Sequence, residues 1–238
     1  MKNKFIWVCT LLISASVQAQ PALEIPLSCE LGGTCFIVDL YDHGRGFDES
    51  RSPYMMDYTG GKRTTDDHYG TRFQIYNSRL ANEGAIIMAA ADGVVTSVRN
   101  KMPSDPYAVS VLGSRLSKSV GNSVVVDHGN GWETQYNGMM QDSIPVVKGD
   151  TVKVGQTLGK IERHTGLNYP SMQFVVRHKS IPVDPFVGLY EGMFNKGMER
   201  KPLWKNDFEE TAFTKDVGLV ATGFSKEVPD IELSLIHI

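Results

Sequence analysis

The sequence lacks a basic cluster, an internal repeat, a low-complexity tract and any clear helical periodicity, and past residue 19 it has no apolar run long enough to cross a bilayer. With no long run after the leader, no transmembrane helix is expected there. Without clustered Lys and Arg, and with a net charge of −3, nucleic acid and anionic membrane surfaces are poor candidates for partners. Cysteine is also scarce. Of three cysteines, Cys9 belongs to the N-terminal apolar run, which leaves Cys29 and Cys35 with five residues between them. A local disulfide closing a short loop suits that spacing, and a two-Cys metal site would lack its second pair of ligands.

Residues 1–19 read as a secretory leader. Lys2 and Lys4 precede the apolar run Phe5–Ile13, and Val17-Gln18-Ala19 forms a small-residue cleavage site before Gln20. Cys9 is not at the junction, so a lipid anchor is not expected. The leader carries two Lys and no acid, so its removal takes the net charge to −5. The expected location is outside the cytoplasm, secreted or in the periplasm. At the other end, Leu233–Ile238 reads like a translated sequencing-adaptor end, so His237 is given no role. Residues 191–232, with the strand-like run Val217–Phe224, are expected to begin a small β module that is cut short.

The remainder, 41% hydrophobic and 21% charged over the full chain, suits one globular domain with extensions. Residues 20–60 are expected to form an N-terminal covering segment, with the polar, Gly/Pro-punctuated stretch Asp39–Tyr58 as a covering loop and not a core element. From Arg72 onward the pattern is β. Ala85–Ala90 is a compact apolar run, Asp92-Gly93 marks a turn, and Val94–Val98 alternates. Gly121–Asp127 holds three consecutive Val and runs into the turn Asp127-His128-Gly129-Asn130-Gly131, after which Trp132–Tyr136 resumes as a strand. Phe174–Arg177 is a further strand after Pro170. Asn100–Ser119 reads as a surface loop, and Pro185–Met198 is the one stretch with helical character. The expected fold is all-β, built of antiparallel sheets as a sandwich or barrel over residues 61–190.

His68-Tyr69-Gly70-Thr71-Arg72 carries the most chemistry. A His and an Asp four residues apart, leading into a strand, can hold Zn²⁺ through nitrogen and oxygen. Here the second position is Arg, permanently charged and without a lone pair to give.

Four blocks in order resemble the lysostaphin/LytM-type zinc metallopeptidases, secreted enzymes that cut peptide cross-links in bacterial cell walls. Asp67–Phe73 is similar to the family's H-x-G-x-D block, and Ala89–Val95 to its A-x-x-G-x-V hairpin. Gly121–Met139 resembles G-N-x-V-x-x-x-H-G-x-G-W-x-T-x-Y-x-H-M. Tyr169–Arg177 with Val183-Asp184-Pro185-Phe186 resembles x-P-H-L-H-F-x-V-R and its downstream V-D-P-F. The resemblance implies a LytM-like β-sandwich/barrel hybrid, a duplicated hybrid motif with long covering loops. It also implies three zinc positions, which in this chain are His68, Arg72 and Gln173, and two catalytic histidine positions, which here are Gly138 and Ser171. A catalytic zinc needs three protein ligands and one open site. A Gln amide is a weak neutral donor better suited to hard cations, and Gly138 offers no side chain to an oxyanion.

The implied reading is an inactive family member that keeps its cleft to bind peptidoglycan peptides or to regulate an envelope hydrolase, with no cofactor. The alternative is an active zinc endopeptidase with relocated ligands, for example His68 with His164 or His128. A third reading is purely structural. His128 suits a turn or core role better than a ligand role, His164 and His178 read as surface residues bracketing the strand of Gln173, and His43 falls in the covering loop. For His68 the plain expectation is a hydrogen bond to Asp66 or Asp67. Arg72 could bind an anion such as a substrate carboxylate, or more plainly pair with a neighbouring acid and fill the metal pocket, and the second is preferred. Trp132, Tyr136 and Tyr169 either flank a ligand groove or pack in the core.

Overall fold

The computed structural model describes residues 20–44, 54–76, 78–103, 121–162, 170–190, 198–207 and 212–213. Ten strands and one short helix lie among them. In chain order they are β1 (Cys35–Asp39), β2 (Thr71–Ile75), α1 (Ser78–Glu83), β3 (Ile86–Met88), β4 (Gly93–Arg99) and β5 (Asn122–Gly129). β6 (Trp132–Met139), β7 (Thr151–Val152), β8 (Thr157–Lys160), β9 (Ser171–His178) and β10 (Ile181–Val183) follow. The main sheet runs β1-β2-β9-β6-β5-β4-β7, with β10 also paired to β9, and β3 and β8 form a separate ribbon. Every pairing between named strands is antiparallel.

Strand alternation decides which face is core. Along β2, Thr71, Phe73 and Ile75 are buried while Arg72 and Gln74 face outward. On β9 and β6, Met172, Phe174 and Val176 and then Trp132, Thr134 and Tyr136 fill the same inner face. Aromatic rings close the layer: Phe174 lies 5.3 Å from Tyr136 and 5.6 Å from Trp204, between ring centroids. Each such side chain, fully buried, contributes on the order of 1.5–3 kcal/mol, so Trp204 ties its own segment firmly to the sheet. The segments around Leu23 and Leu203 meet here as well, because Leu23 N donates to Leu203 O and Lys205 N to Leu23 O.

The stretch expected as a covering segment contributes to the sheet and the core. β1 is a strand of the main sheet, Leu40 is fully buried, and the loop after it is held by carboxylates that accept backbone N–H groups. Asp42 accepts from Gly44, Met56 and Asp67. Asp57 accepts from Thr59, Gly61 and Arg63. These bonds hold the Asp57 carboxyl below its usual range against the opposing effect of burial. Cys29 and Cys35 are joined in a disulfide, with 6.0 Å between their Cα atoms.

Two elements differ from the sequence-based expectation. Helix α1 was not anticipated, because six residues give under two turns of periodicity to read. The expected helix from Pro185 opens as a turn, in which Val187 N and Gly188 N both donate to Asp184 O. Its continuation through residues 191–197 lies outside the described residues, as do the leader, residues 104–120 of the surface loop, and Val217–Phe224.

Candidate functional site

β2 begins directly after the His68–Gly70 turn, and this fixes where His68 is placed. Gly70 is required there: a Cβ at this position would lie 2.6 Å from the Phe174 carbonyl oxygen. The close approach draws the turn against β9. His68 N donates to Thr65 O, and His68 O accepts from Asp42 N. The imidazole is buried, at 6% exposure, and its Nε2 has no hydrogen-bond partner among the described residues. The expected bond to Asp66 or Asp67 is therefore not made by this atom; Asp67 instead accepts from the Tyr69 hydroxyl at 2.8 Å. Burial first, and the charge of Arg72 second, push the His68 pKa down to about 4, with Asp39 opposing.

Register then assembles a row across four strands. Asp39 on β1 faces Arg72 on β2, Arg72 faces Gln173 on β9, and Gln173 faces Asn137 on β6. Arg72 forms an ion pair with Asp39, Nη1 to Oδ2 at 2.8 Å. Ser171 lies two residues before Gln173 on the same outward face. Gly138 follows Asn137, and a Cβ there would lie 2.8 Å from the Ser171 carbonyl oxygen. Arg72, Gly138, Ser171 and Gln173 thus occupy adjoining strands over one small area. Asp39 is the group sequence reading left unnamed. Its only local signal is a single acid between the apolar Val38 and Leu40.

The donor set does not fit a catalytic zinc. It offers one buried imidazole nitrogen, a guanidinium already paired with a carboxylate, and a neutral amide. Among the described residues, no three His, Cys, Asp or Glu side chains converge to hold a metal ion.

The other histidines are placed as follows. Nδ1 of His128 lies 2.7 Å from the Asp92 carbonyl oxygen, which can only accept. Nε2 lies 2.8 Å from Thr134 Oγ1, itself 2.9 Å from the Tyr136 hydroxyl. Both ring nitrogens are engaged in a structural network, and burial lowers this pKa. His178 packs its ring on Trp132 at 4.6 Å. His43 is buried, its Nε2 2.7 Å from Asp184 Oδ2, with the two side chains 1% and 0% exposed. Burial raises the Asp184 pKa, and the His43 contact counters it. The two residues are 141 positions apart, so no local spacing could have announced the pair. Trp132 is 2% exposed and Tyr136 fully buried, so both serve packing. The Tyr136 hydroxyl accepts from Ala90 N at 2.8 Å, and burial pushes its pKa up to about 12. Tyr169 and His164 lie outside the described residues.

The site is thus an antiparallel β domain with a His-x-Gly turn feeding β2 and a polar row laid across β2, β9 and β6. The profile of Peptidase family M23 matches residues 67–185, half of the chain, and the chain belongs to that family. Cell division protein DipM of Caulobacter vibrioides is 28% identical over 111 residues, which is 44% of this chain and 15% of that protein. The match thus spans well under a quarter of that relative's length. Among solved structures, Csd3 of Helicobacter pylori is similar with a TM-score of 0.45 at 20% identity, covering 76% of this chain and 37% of that one. A variant of the catalytic domain of the prophage-encoded protein EnpA from Enterococcus faecalis gives a TM-score of 0.41 at 18% identity, covering 69% and 93%. At these identities the likeness to solved structures concerns the fold alone.

Proposed function

We propose that this protein is a secreted M23-family member that does not hydrolyse its ligand. It acts at the bacterial cell envelope, binding peptidoglycan peptides or regulating a partner hydrolase. The observation that carries this reading is the Arg72–Asp39 ion pair, since the family resemblance expects a metal ligand at the position of Arg72. A guanidinium facing Zn²⁺ opposes binding electrostatically, and without the metal no water is brought toward a neutral pKa. Gly138 and Ser171 in turn supply neither a base nor an imidazole donor to a developing oxyanion, and loss of one such donor alone commonly costs about 10²–10³ in turnover. The matching relative, named as a cell division protein, supports a role connected with the envelope.

The test is co-sedimentation with purified, dye-labelled peptidoglycan. The protein should pellet with the polymer and release no dye. Dye release that a chelator abolishes would overturn the reading in favour of an active enzyme. Failure to pellet, with no effect on hydrolases mixed into the assay, would leave only a structural role.

A further inference from the structure

We propose that Arg72, Gln173 and Ser171 form a carboxylate-binding site that takes the free carboxyl end of a short peptide. This deepens the function proposed above and rests on it, since it names the group by which a cell-wall peptide would be held. The first observation is that Arg72, Gln173 and Ser171 present polar groups side by side on the outward face of the sheet. Arg177 donates to the Gln135 oxygen, and Gln135 Nε2 donates to Asn137 Oδ1 at 2.8 Å, so that neighbouring patch satisfies itself. Gln173 and Ser171 are both half-buried, and neither side chain hydrogen-bonds to another described residue. Arg72 contacts Asp39 through Nη1, one of three guanidinium nitrogens that together carry five N–H donors.

The second observation is the asymmetry of the ion pair. The Arg72 side chain is 40% exposed and that of Asp39 only 12%. The carboxylate is the more deeply buried partner, and the Arg72 side chain keeps the larger accessible share. An arginine held in this way loses less side-chain freedom when an anion docks. The third observation is His68, 6% exposed, whose Nε2 has no partner among the described residues. One ligand carboxylate, with one negative charge and two coplanar oxygens, matches the guanidinium bidentately, with the Gln173 amide and Ser171 hydroxyl as further donors. A metal cation would meet the guanidinium's charge. A dianionic phosphate would meet twice the repulsion from Asp39.

The experiment is a calorimetric titration of the full chain at low ionic strength with N-acetyl-D-alanyl-D-alanine, and separately with its C-terminal amide. The free acid should bind, and the amide should bind about tenfold or more weakly, as expected when charge-assisted hydrogen bonds are lost. Arg72→Gln should reduce acid binding to the level of the amide. Arg177→Gln, on the self-satisfied patch, should leave it unchanged. Equal binding of acid and amide, no binding of either, or full acid binding by Arg72→Gln would each overturn the proposal. Should Arg72→Gln fail to fold, the acid–amide comparison on the unaltered protein decides alone. The co-sedimentation assay reads the broader function independently: pelleting without acid–amide discrimination sinks the carboxylate site and spares the envelope role.

Discussion

Gly138→Ala tests how far the backbone itself has left the arrangement that hydrolysis would need. Asn122 faces Met139 and Ser123 faces Asn137, so Gly138 is the extra residue of a bulge in β6. Its φ is 86°, and a Cβ would lie 2.8 Å from the Ser171 carbonyl oxygen and 3.5 Å from Met172 Cα. Placing an L-residue in the left-handed region costs about 1–2 kcal/mol. Relieving the contact with the β9 backbone adds about 1–3 kcal/mol, the range for overpacking. The smaller unfolded-state entropy of Ala returns about 0.4–1 kcal/mol, which leaves a net loss on the order of 2–3 kcal/mol. With a urea m-value of about 2 kcal/mol/M, the unfolding midpoint should fall by roughly 1 M, read from the fluorescence of the buried Trp132 and Trp204. Gly138→His, a step toward the residue the family resemblance places here, should cost at least as much. A midpoint for Gly138→Ala within about 0.2 M of the parent would refute the account of this bulge.

Three further outcomes are expected. His43→Ala leaves Asp184 buried without its partner, and should lower the unfolding free energy by on the order of 3 kcal/mol; a loss under 1 kcal/mol by urea denaturation would count against the buried pair. His68 is held neutral, with its pKa lowered from 6.5 to about 4, so the unfolded chain binds the extra proton first. Stability linked to this residue is complete above pH 6.5 and is lost as pH falls toward 4, with a magnitude on the order of 3 kcal/mol. His68→Gln should flatten that part of the stability profile, and an unchanged profile would contradict the burial argument. Finally, combining Arg72→Asp with Gln173→His removes the cation and adds two ligands in register beside His68, so the double variant should gain zinc in equilibrium dialysis while remaining hydrolytically silent. No gain of metal would show that His68 is not directed at that row.

The central strands were legible because each buries one face and alternates accordingly. Val94–Val98 and Trp132–Tyr136 fall within observed strands, Gly121–Asp127 does so from Asn122 onward, and the turn between the last two carries residues that tolerate positive φ. The family resemblance implied that Arg72, Gly138, Ser171 and Gln173 lie together, and the register of β2, β9 and β6 brings them onto adjoining strands. What escaped the sequence depended on long-range contacts. Asp39 meets Arg72 because β1 pairs with β2, and His43 meets Asp184 across most of the chain. The phrase Asp42-His43-Gly44 reads as a polar loop until Asp184 supplies a buried partner for it. Trp132 and Tyr136 could be read from sequence as groove residues or as packing. Strand alternation decides for packing only once the facing core, with Phe174 and Trp204, is known.

The account stands most directly on metal content. Protein expressed without a metal-binding tag, purified without chelator and analysed for zinc by mass spectrometry should carry well under one zinc per chain, and added zinc should not raise its thermal stability. One firmly bound zinc per chain, removed by a chelator and lost in His68→Ala, would contradict the account.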